Sequence, residues 1–485
     1  DRDCPSCPRS GTCRLQELAN RMGVGEIRFP AQHTPQPIDT SHPAVVRNPN
    51  RCVLCGDCVR MCHEVQSVGA IDFAHRGARS AVLPAHGRAL GEVGCVGCGQ
   101  CAAVCPTGAL SPASEIDGVW AALHDPRTTV VAQIAPAVRV ALGEDFGLPA
   151  GENVAGRTVA ALHRLGCDQV YDTGFTADLT VLEEGSELLR RLEQGGPLPQ
   201  FTSCCPGWVD FAEREFGDLL PHLSTCRSPQ QMFGALARRM LPAELGCEPE
   251  RLVVLSIMPC TAKKAEARRA DFAPGGRRDV DFVLTTQELT RMIRERGLDL
   301  AALEEEPFDM PMGFKTGAGI IFGTSGGVTE AALRFCAESM TGRRLDAVAF
   351  HAVRGAERLR EATVELAGVT LRVAIAHSLG QARALAEAVR AGTSPYHLIE
   401  IMACPGGCVG GAGQPIGRDA DIIAQRTAGL YRADARLQLH KSQENHLVRA
   451  CYTDLLDHPG SACAHELLHT HYTPCLRADA TAVPG

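Results

Sequence analysis

The stretch RLVVLSIMPCTAKKAE, residues 251–266, joins an apolar run to a cysteine and then to a helical pattern. Similar apolar runs recur from about Asp125 onward, and segments with helical periodicity separate them. Strands that alternate with helices are typical of an α/β fold with parallel sheets. We therefore predict strands at TTVVAQI (128–134), RLVVLSIM (251–258), DFVLTT (281–286), DAVAFHAV (346–353), LRVAIA (371–376) and HLIEIM (397–402).

Cysteines follow apolar runs at three places in this region: in FTSCCPGW (201–208), MPCTAKKAE (258–266) and EIMACPGGC (400–408). The carboxyl ends of parallel strands meet at one edge of a sheet, where open α/β sheets bind their cofactors, so we expect these thiols to converge. A 4Fe–4S cubane needs four thiolates. Of the five thiols, one is therefore idle or catalytic.

Two runs with the spacing C-x-x-C-x-x-C-x-x-x-C precede this region, and their similar interiors, CVLCGDCVRMC and CVGCGQCAAVC, indicate an internal duplication. In this pattern three cysteines bind one 4Fe–4S cluster and the fourth binds the neighbouring cluster. A zinc ribbon would need only two CxxC pairs. We predict two clusters, one bound by Cys52, Cys55, Cys58 and Cys105, and the other by Cys95, Cys98, Cys101 and Cys62.

The composition narrows the class of protein. The 485 residues carry 23 cysteines, an odd number mostly at metal-ligand spacings, which indicates a reducing compartment and a cytoplasmic protein. The net charge of −8 gives no reason to expect a nucleic-acid partner or an acidic membrane. No apolar run approaches the roughly 18 residues of a membrane span. The chain begins Asp-Arg-Asp-Cys, so we expect a processed chain or part of a longer protein.

The three thiol-bearing segments, TSCCPGW, MPCTAKKAE and EIMACPGGCVGGAGQP, resemble the signature segments of the iron-only (FeFe) hydrogenases. The resemblance extends over almost the whole chain. It implies an H-cluster, which is a 4Fe–4S cubane joined through one cysteine to a two-iron unit with CO, cyanide and azadithiolate ligands. The implied cubane ligands are Cys205, Cys260, Cys404 and Cys408, of which Cys408 also bridges to the two-iron unit.

The resemblance also assigns roles to neighbouring residues. Cys204 becomes the last proton donor, which suits a thiol with an ordinary pKa near ~8.5. Lys263 would donate to a cyanide ligand, although either it or Lys264 could be an exposed surface lysine. Gly317–Gly323 resembles a glycine-rich loop against the cofactor. The implied walls of the site, which core packing alone would also explain, are Met258, Met402, Gln230, Ala135, Pro136 and Ala137.

Residues 177–193 have the pattern of an amphipathic helix, on which Glu184 and Glu187 share one face and Arg191 follows four residues after Glu187. By itself this pattern is typical of a salt-bridged surface helix. The resemblance instead implies a proton relay. Its order would be Arg191 and Glu187 at the surface, then Ser224, Glu184, a water and Cys204.

Both ends of the chain have further metal-ligand residue types. Cys4, Cys7 and Cys13 match the family's accessory cluster, which uses three cysteines and one histidine. In register that histidine would precede Asp1, so a third 4Fe–4S cluster here is lost, completed by another ligand, or present only in a longer protein. The tail resembles the family's small subunit, which favours a structural role for its His465, His469 and His471 over zinc binding.

The predicted fold is an α/β catalytic domain, with parallel sheets flanked by helices and the H-cluster in the central crevice, plus an N-terminal α+β bacterial-ferredoxin-like domain. The predicted segments are a remnant of the accessory iron–sulfur domain (1–28), a linker (29–44), the ferredoxin-like domain (45–124), the catalytic domain (125–426) and a helical small-subunit-like tail (427–485).

The implied function is reversible proton reduction and H2 oxidation. Implied partners are a ferredoxin or an NAD(P)-linked flavin diaphorase subunit, and maturation proteins that deliver the two-iron unit. Two alternatives within the same fold are an iron–sulfur assembly factor and an H2 sensor. Cys204, Lys263 and Met258 argue against an assembly factor, since such factors typically lack the full set of proton- and cyanide-binding residues. Cys204 also argues against an H2 sensor, in which the proton-donating thiol is usually replaced.

Overall fold

A computed structural model describes residue 4, residue 7 and residues 9–25, 35–344, 349–366, 368–417 and 420–475. Within them the strands are β1 Val45–Arg47, β2 Ile71–Ala74, β3 Ala81–Pro84, β4 Leu110–Pro112, β5 Thr129–Ile134, β6 Gln169–Asp172, β7 Gln200–Phe201, β8 Leu252–Met258, β9 Phe282–Thr285, β10 Leu359–Leu366, β11 Val369–His377 and β12 Leu398–Met402.

The α-helices of the same residues lie between and after these strands. They are α1 Arg14–Arg21, α2 Asp57–Arg60, α3 Gln100–Val104, α4 Ile116–His124, α5 Ala155–Leu165, α6 Thr173–Gln194, α7 Pro206–Glu215, α8 Pro229–Leu245, α9 Ala262–Glu266, α10 Thr286–Glu295, α11 Gly317–Ile321, α12 Gly327–Thr341, α13 Leu379–Arg390, α14 Ala420–Ala435, α15 His446–Cys451 and α16 Ala462–Leu468.

The N-terminal cysteine-rich part contains two small antiparallel sheets, in which β1 pairs with β4 and β2 with β3. Each four-cysteine run leads into a short helix, α2 or α3. Gly56 and Gly99 precede these helices with φ of +79° and +67°, which residues with a Cβ seldom adopt. Val45, Ile71, Leu90 and their neighbours form a small separate core. These features confirm the predicted α+β ferredoxin-like domain.

Two four-stranded sheets form the larger part of the chain. One has the strand order β6-β5-β8-β9 and is entirely parallel. The other has the order β10-β11-β12-β7, with β10 antiparallel to β11 and the remaining pairs parallel. Strands β5 and β12 are buried almost throughout, as expected for parallel strands covered on both faces. The predicted α/β class with parallel sheets is confirmed.

Five of the six predicted strands form. The exception is DAVAFHAV, of which residues 346–348 lie outside the described part, whereas His351–Val353 form a short 3-10 helix. The prediction of a strand there was wrong for these residues because apolar content alone does not supply a partner strand. Three strands of the two large sheets were not predicted: β6 and β7 are short, and β10 alternates apolar with charged residues.

The C-terminal tail packs against the catalytic domain. The predicted boundary at 426/427 lies inside α14, so this helix continues across the two predicted segments. Asp178 in α6 is completely buried and accepts hydrogen bonds from Ser442 Oγ at 2.8 Å and Asn445 Nδ2 at 3.0 Å. No helix among the described residues is long and apolar enough to span a bilayer.

Candidate active site

One cavity lies at the carboxyl ends of strands from both large sheets, and it is lined by residues that end or follow β5, β7, β8 and β12. Cys204 and Cys205 reach it from the end of β7, and Cys260 reaches it from the end of β8. The loop after β12 contributes Cys404 and Cys408. The structure thus brings together the five thiols that the strand ends were expected to collect.

The remaining walls of the cavity are mostly apolar. Met258 and Met402 are each 2% exposed. The other residues of the predicted walls, Ala135, Pro136, Ala137 and Gln230, line the cavity as well. Sequence reasoning missed three lining residues that lie outside the thiol-bearing segments: Thr173, Ala177 and Pro229.

The segment Gly317–Gly323 is not a loop against the cavity along its length. Gly317–Ile321 form helix α11, and only Phe322 and Gly323 line the cavity. A Cβ on Gly319 would collide with the carbonyl oxygen of Gly174. The glycines of this segment therefore serve helix packing in addition to leaving space at the cavity.

The thiols fit an iron–sulfur group chemically. Burial raises the pKa of Cys260 to about 11 and raises the pKa of Cys205, so bound metal is needed to stabilise these groups as thiolates. Among the described residues no three His, Cys, Asp or Glu side chains could hold a single metal ion. In a cubane each thiolate binds a different iron, so the ligands need not converge on one point.

Lys263 lines the cavity, and its ammonium group is hydrogen-bonded to protein groups. Its Nζ donates to Glu266 Oε2 at 2.9 Å and to the carbonyl oxygen of Cys204 at 3.2 Å. Burial disfavours the charge, but Glu266 outweighs this effect and raises the pKa of Lys263. Gln230 Nε2 donates to the same Glu266 Oε2 at 3.0 Å. The lysine is therefore a cation held in place at the edge of the cavity.

Lys264 is not the exposed lysine that the sequence allowed. It is completely buried, its Nζ lies 2.9 Å from Glu288 Oε2, and it donates to the carbonyl oxygen of Val283. A short helix, α9, places the two adjacent lysines on opposite sides, which spacing alone does not reveal.

Helix α6 carries the carboxylates of the predicted relay. Ser224 Oγ donates to Glu187 Oε2 at 2.9 Å, and Arg191 Nη2 donates to Glu187 Oε1 at 2.6 Å. The prediction that Glu187 and Arg191 lie at the surface was wrong, because they are only 6% and 8% exposed. The loop around Ser224 and the tail of the chain cover this face of the helix.

Glu184 is 2% exposed, and its Oε1 has no hydrogen-bond partner among the described residues. Burial, and next the nearby Glu187, raise the pKa of Glu184 to about 8. Burial, and next Glu184, raise the pKa of Cys204 well above its ordinary value. Glu184 is thus a buried carboxyl group close enough to Glu187 and Cys204 to interact electrostatically with both.

The comparisons with known proteins agree with this site. A family model described as "Iron only hydrogenase large subunit, C-terminal domain" matches residues 128–412. The chain belongs to the iron-only hydrogenase family. Further models match a "4Fe-4S dicluster domain" at residues 51–109, an "Iron hydrogenase small subunit" at 420–475, and an "NADH-ubiquinone oxidoreductase-G iron-sulfur binding region" at 1–28.

Three individual proteins illustrate the range of relatives. The NADP-reducing hydrogenase subunit HndD of Solidesulfovibrio fructosivorans is 46% identical over 97% of this chain and 82% of its own length. A solved FeFe hydrogenase of Chlamydomonas reinhardtii is 41% identical, with a TM-score of 0.68 over 75% of this chain and 99% of that chain. A cytosolic Fe-S cluster assembly factor of Xenopus tropicalis is 33% identical over 71% of this chain and 74% of its own length.

Membership of this family establishes the cofactors. The chain has the H-cluster domain and the domain of two 4Fe–4S clusters, and the match at residues 1–28 supports a further iron–sulfur site at the N-terminus. Arg9 in that segment is buried and donates to the carbonyl oxygens of Ala102 at 3.1 Å and Cys105 at 2.6 Å. Cys4 is exposed, and Cys7 and Cys13 are half-buried.

One of the two predicted cysteine groups of the ferredoxin-like domain lines a cavity of its own. A second cavity is lined by Cys52, Cys55, Cys58 and Cys105, and Cys62 is not among its lining residues. Burial, and then Cys95, Cys98, Cys62 and Cys58, raise the pKa of Cys101, so this thiol lies near cysteines of both predicted groups. The assignment of these cysteines to two clusters stays a prediction.

Contacts join the second predicted cysteine group to the catalytic cavity. Thr261, which follows Cys260, donates through Oγ1 to the carbonyl oxygen of Gly97 at 2.8 Å. Gln66 Nε2 donates to the carbonyl oxygen of Ala403 at 2.9 Å. A Cβ on Gly99 would collide with Thr261 Oγ1. The two domains thus meet at the backbone beside the ligand cysteines.

Sequence reasoning missed a buried network next to Glu187 on helix α6. Glu183 is 1% exposed and accepts from Tyr452 Oη at 2.6 Å and from the backbone N–H of Gly460 at 2.8 Å. The two ring nitrogens of His469 lie 3.1 Å from Glu183 Oε2 and 2.7 Å from Thr225 Oγ1. His469 therefore has no free nitrogen for zinc, which supports the structural role predicted for the tail.

Proposed function

We propose that this hydrogenase catalyses reversible reduction of two protons by two electrons to H2. The observation that carries the proposal is a cavity lined by five cysteines, one of which, Cys204, has the buried Glu184 nearby, while the segment after Cys260 is bonded to the ferredoxin-like domain. The H-cluster, when bound, supplies the metal chemistry of making and cleaving H2. The chain supplies ligands, protons, electrons and an apolar enclosure.

The proposed ligands of the cubane are Cys205, Cys260, Cys404 and Cys408. Cys204 has no ligand role in this assignment and is free to carry a proton. Lys263, a cation at the cavity edge, would donate a hydrogen bond to an anionic cyanide. The two methionines, 258 and 402, supply a soft, apolar surface to the two-iron unit and exclude water.

The proposed proton route begins at Arg191 and Glu187, which are 8% and 6% exposed. Ser224 receives a proton from Glu187 and passes one to Glu184, which then reprotonates Cys204 through a water molecule. The 2.9 Å bond between Ser224 Oγ and Glu187 supports the first step. The orphan Oε1 of Glu184 supports the last, because a buried oxygen without a protein partner is where a water is expected.

The proposed electron route uses the two 4Fe–4S clusters in series. Cys55, an exposed cysteine, lies on the outer cluster, and the inner group contacts the catalytic cavity through Gly97 and Thr261. This order lets an external carrier reach the outer cluster without entering the catalytic domain. The N-terminal cysteines, whose segment is bonded through Arg9 to the carbonyl oxygen of Cys105, would provide a second entry when their cluster is complete.

The proposed redox partner is an NAD(P)-linked flavin diaphorase subunit, with a ferredoxin as the simpler choice. The similarity to the NADP-reducing subunit over 97% of the chain supports the first partner. Maturation proteins that deliver the two-iron unit are part of the proposal, as is a cytoplasmic location, which free cysteines favour. The proposal also keeps the predicted segments 1–28, 29–44, 45–124, 125–426 and 427–485.

The decisive experiment is anaerobic. The purified chain is loaded with a synthetic two-iron complex and assayed for H2 evolution, while infrared spectra are recorded in the CO and CN region. We expect H2 evolution together with CO and CN bands. Bands without turnover would favour an H2-sensing protein, and neither bands nor turnover would favour an iron–sulfur assembly factor of the kind found among the relatives.

A further inference from the structure

Glu400 is a completely buried carboxylate that the proposed reaction does not use. It lies in β12, four residues before Cys404. Its side chain points at the beginning of helix α12, the 15-residue helix Gly327–Thr341. Burial of a carboxylate costs free energy unless hydrogen bonds compensate for the lost water, so its partners indicate what it does.

Three donors from one short segment bind this carboxylate. The backbone N–H of Gly326 donates to Glu400 Oε1 at 2.6 Å. The backbone N–H and the hydroxyl of Thr329 donate to Glu400 Oε2 at 2.8 Å and 2.9 Å. Both oxygens are therefore used as acceptors, and the negative charge lies at the positive end of the helix dipole.

Residues 323–325, which lie next to the donors of Glu400, form hydrogen bonds with the Cys404–Cys408 loop and the residue after it. The N–H of Ser325 donates to the carbonyl oxygen of Gly406 at 3.0 Å, and the N–H of Val409 donates to that of Gly323 at 3.1 Å. The fit is tight, because a Cβ on Gly407 would lie only 2.5 Å from the nitrogen of Ser325. Movement of residues 323–326 would therefore move the backbone on either side of Cys408.

We propose that Glu400 is a positioning residue, which anchors residues 323–329 to β12 and thereby sets the position of Cys408 relative to the other ligands. The inference rests on the proposed function, since it takes Cys408 as the ligand shared by the cubane and the two-iron unit. Glu400 itself does not contact the cavity.

Glu400→Gln tests the proposal with little change of volume. A glutamine offers one acceptor oxygen and one NH2 group, so one of the two backbone N–H groups would face a donor. We expect the variant, loaded anaerobically with the two-iron complex, to show shifted CO and CN infrared bands. We also expect at least a twofold loss of iron retained after gel filtration. The control is Glu365→Gln, at an exposed position of β10 in the same sheet.

A second variant covers the case in which Glu400→Gln does not fold. Thr329→Val removes the hydroxyl donor and keeps the backbone donor, and we expect a smaller band shift. Bands identical to those of the wild type in folded variants would overturn the positioning role and leave the proposed function intact. Absence of CO and CN bands from the loaded wild-type protein would overturn both.

Discussion

Ser224 Oγ donates a hydrogen bond of 2.9 Å to Glu187 Oε2, although 37 residues separate the two in sequence. Arg191 binds the other carboxylate oxygen at 2.6 Å. Glu187 is therefore fixed through both oxygens, whereas Glu184, one helical turn earlier, has an oxygen without a partner among the described residues. Hydrogen bonds thus hold both oxygens of Glu187, whereas one oxygen of Glu184 has none in the described part of the chain. In the proposed route Glu184 is therefore the group that exchanges protons with a water.

Glu184→Gln should lower H2 turnover by at least about 100-fold, since a positioned proton-transfer group typically contributes 10²–10⁴-fold. The amide keeps the shape of the side chain but cannot release a proton. Infrared and electron paramagnetic resonance spectra of the loaded protein should stay unchanged. The matched control is Glu193→Gln, an exposed glutamate in the last turn of the same helix. Near-wild-type turnover in Glu184→Gln would contradict the route.

Cys204→Ser should retain the full iron content and lose at least about 100-fold in turnover. Serine preserves the size of the side chain, but its hydroxyl releases a proton far less readily than a thiol does. Iron quantification beside the H2 assay separates the two roles. A variant that lost iron in proportion to activity would indicate that Cys204 is a ligand and not a proton donor.

Ser224→Ala should slow turnover by roughly tenfold or more, because no group would connect Glu187 with Glu184. Thr225→Val is the adjacent control: its hydroxyl is 2.7 Å from His469 Nδ1. The backbone N–H of Thr225, which donates to Glu187 Oε2, is kept in that variant. The two variants are compared by their steady-state rates of H2 evolution at several pH values. Equal rates in the two variants would remove Ser224 from the route.

The stability of the protein should depend on pH through Glu184. Its pKa is raised from 4.5 to about 8 by burial and by Glu187, so the folded state holds the proton more tightly than the unfolded state. The resulting stabilisation is complete below about pH 4.5 and is lost as the pH rises through about 8. We expect the Tm of the wild type, relative to that of Glu184→Gln, to decrease as the pH is raised from 6 to 9. A constant difference would show that Glu184 does not titrate there.

Gly99→Ala should impair electron transfer between the domains. A Cβ at this residue would collide with Thr261 and lie 2.8 Å from the Cβ of Ala412, and the φ of +67° is itself unfavourable for alanine. We expect slower H2 evolution with an external electron donor and unchanged H/D exchange, which needs no external electrons. Gly94→Ala is the control, because nothing lies within 4 Å of a Cβ there. Equal losses in both assays would instead indicate damage to the catalytic site.

The sequence by itself determined the chemistry of the metal sites, because ligand spacing is local. The two four-cysteine runs and the three thiol-bearing segments identified the ligand candidates, and the alternation of apolar runs and helices determined the α/β class. Spacing also placed Glu184 and Glu187 on one face of a helix, since residues three apart share a face.

Only the tertiary structure decided which groups are buried and which donors they meet. Arg191, predicted at the surface, is covered, and Lys264, which could have been exposed, is paired with Glu288. The partners of Glu183 and Glu400 come from segments 269 and 74 residues away, at Tyr452 and Gly326. Burial and partners distant in sequence set pKa values and fix backbone positions, and a local pattern contains neither.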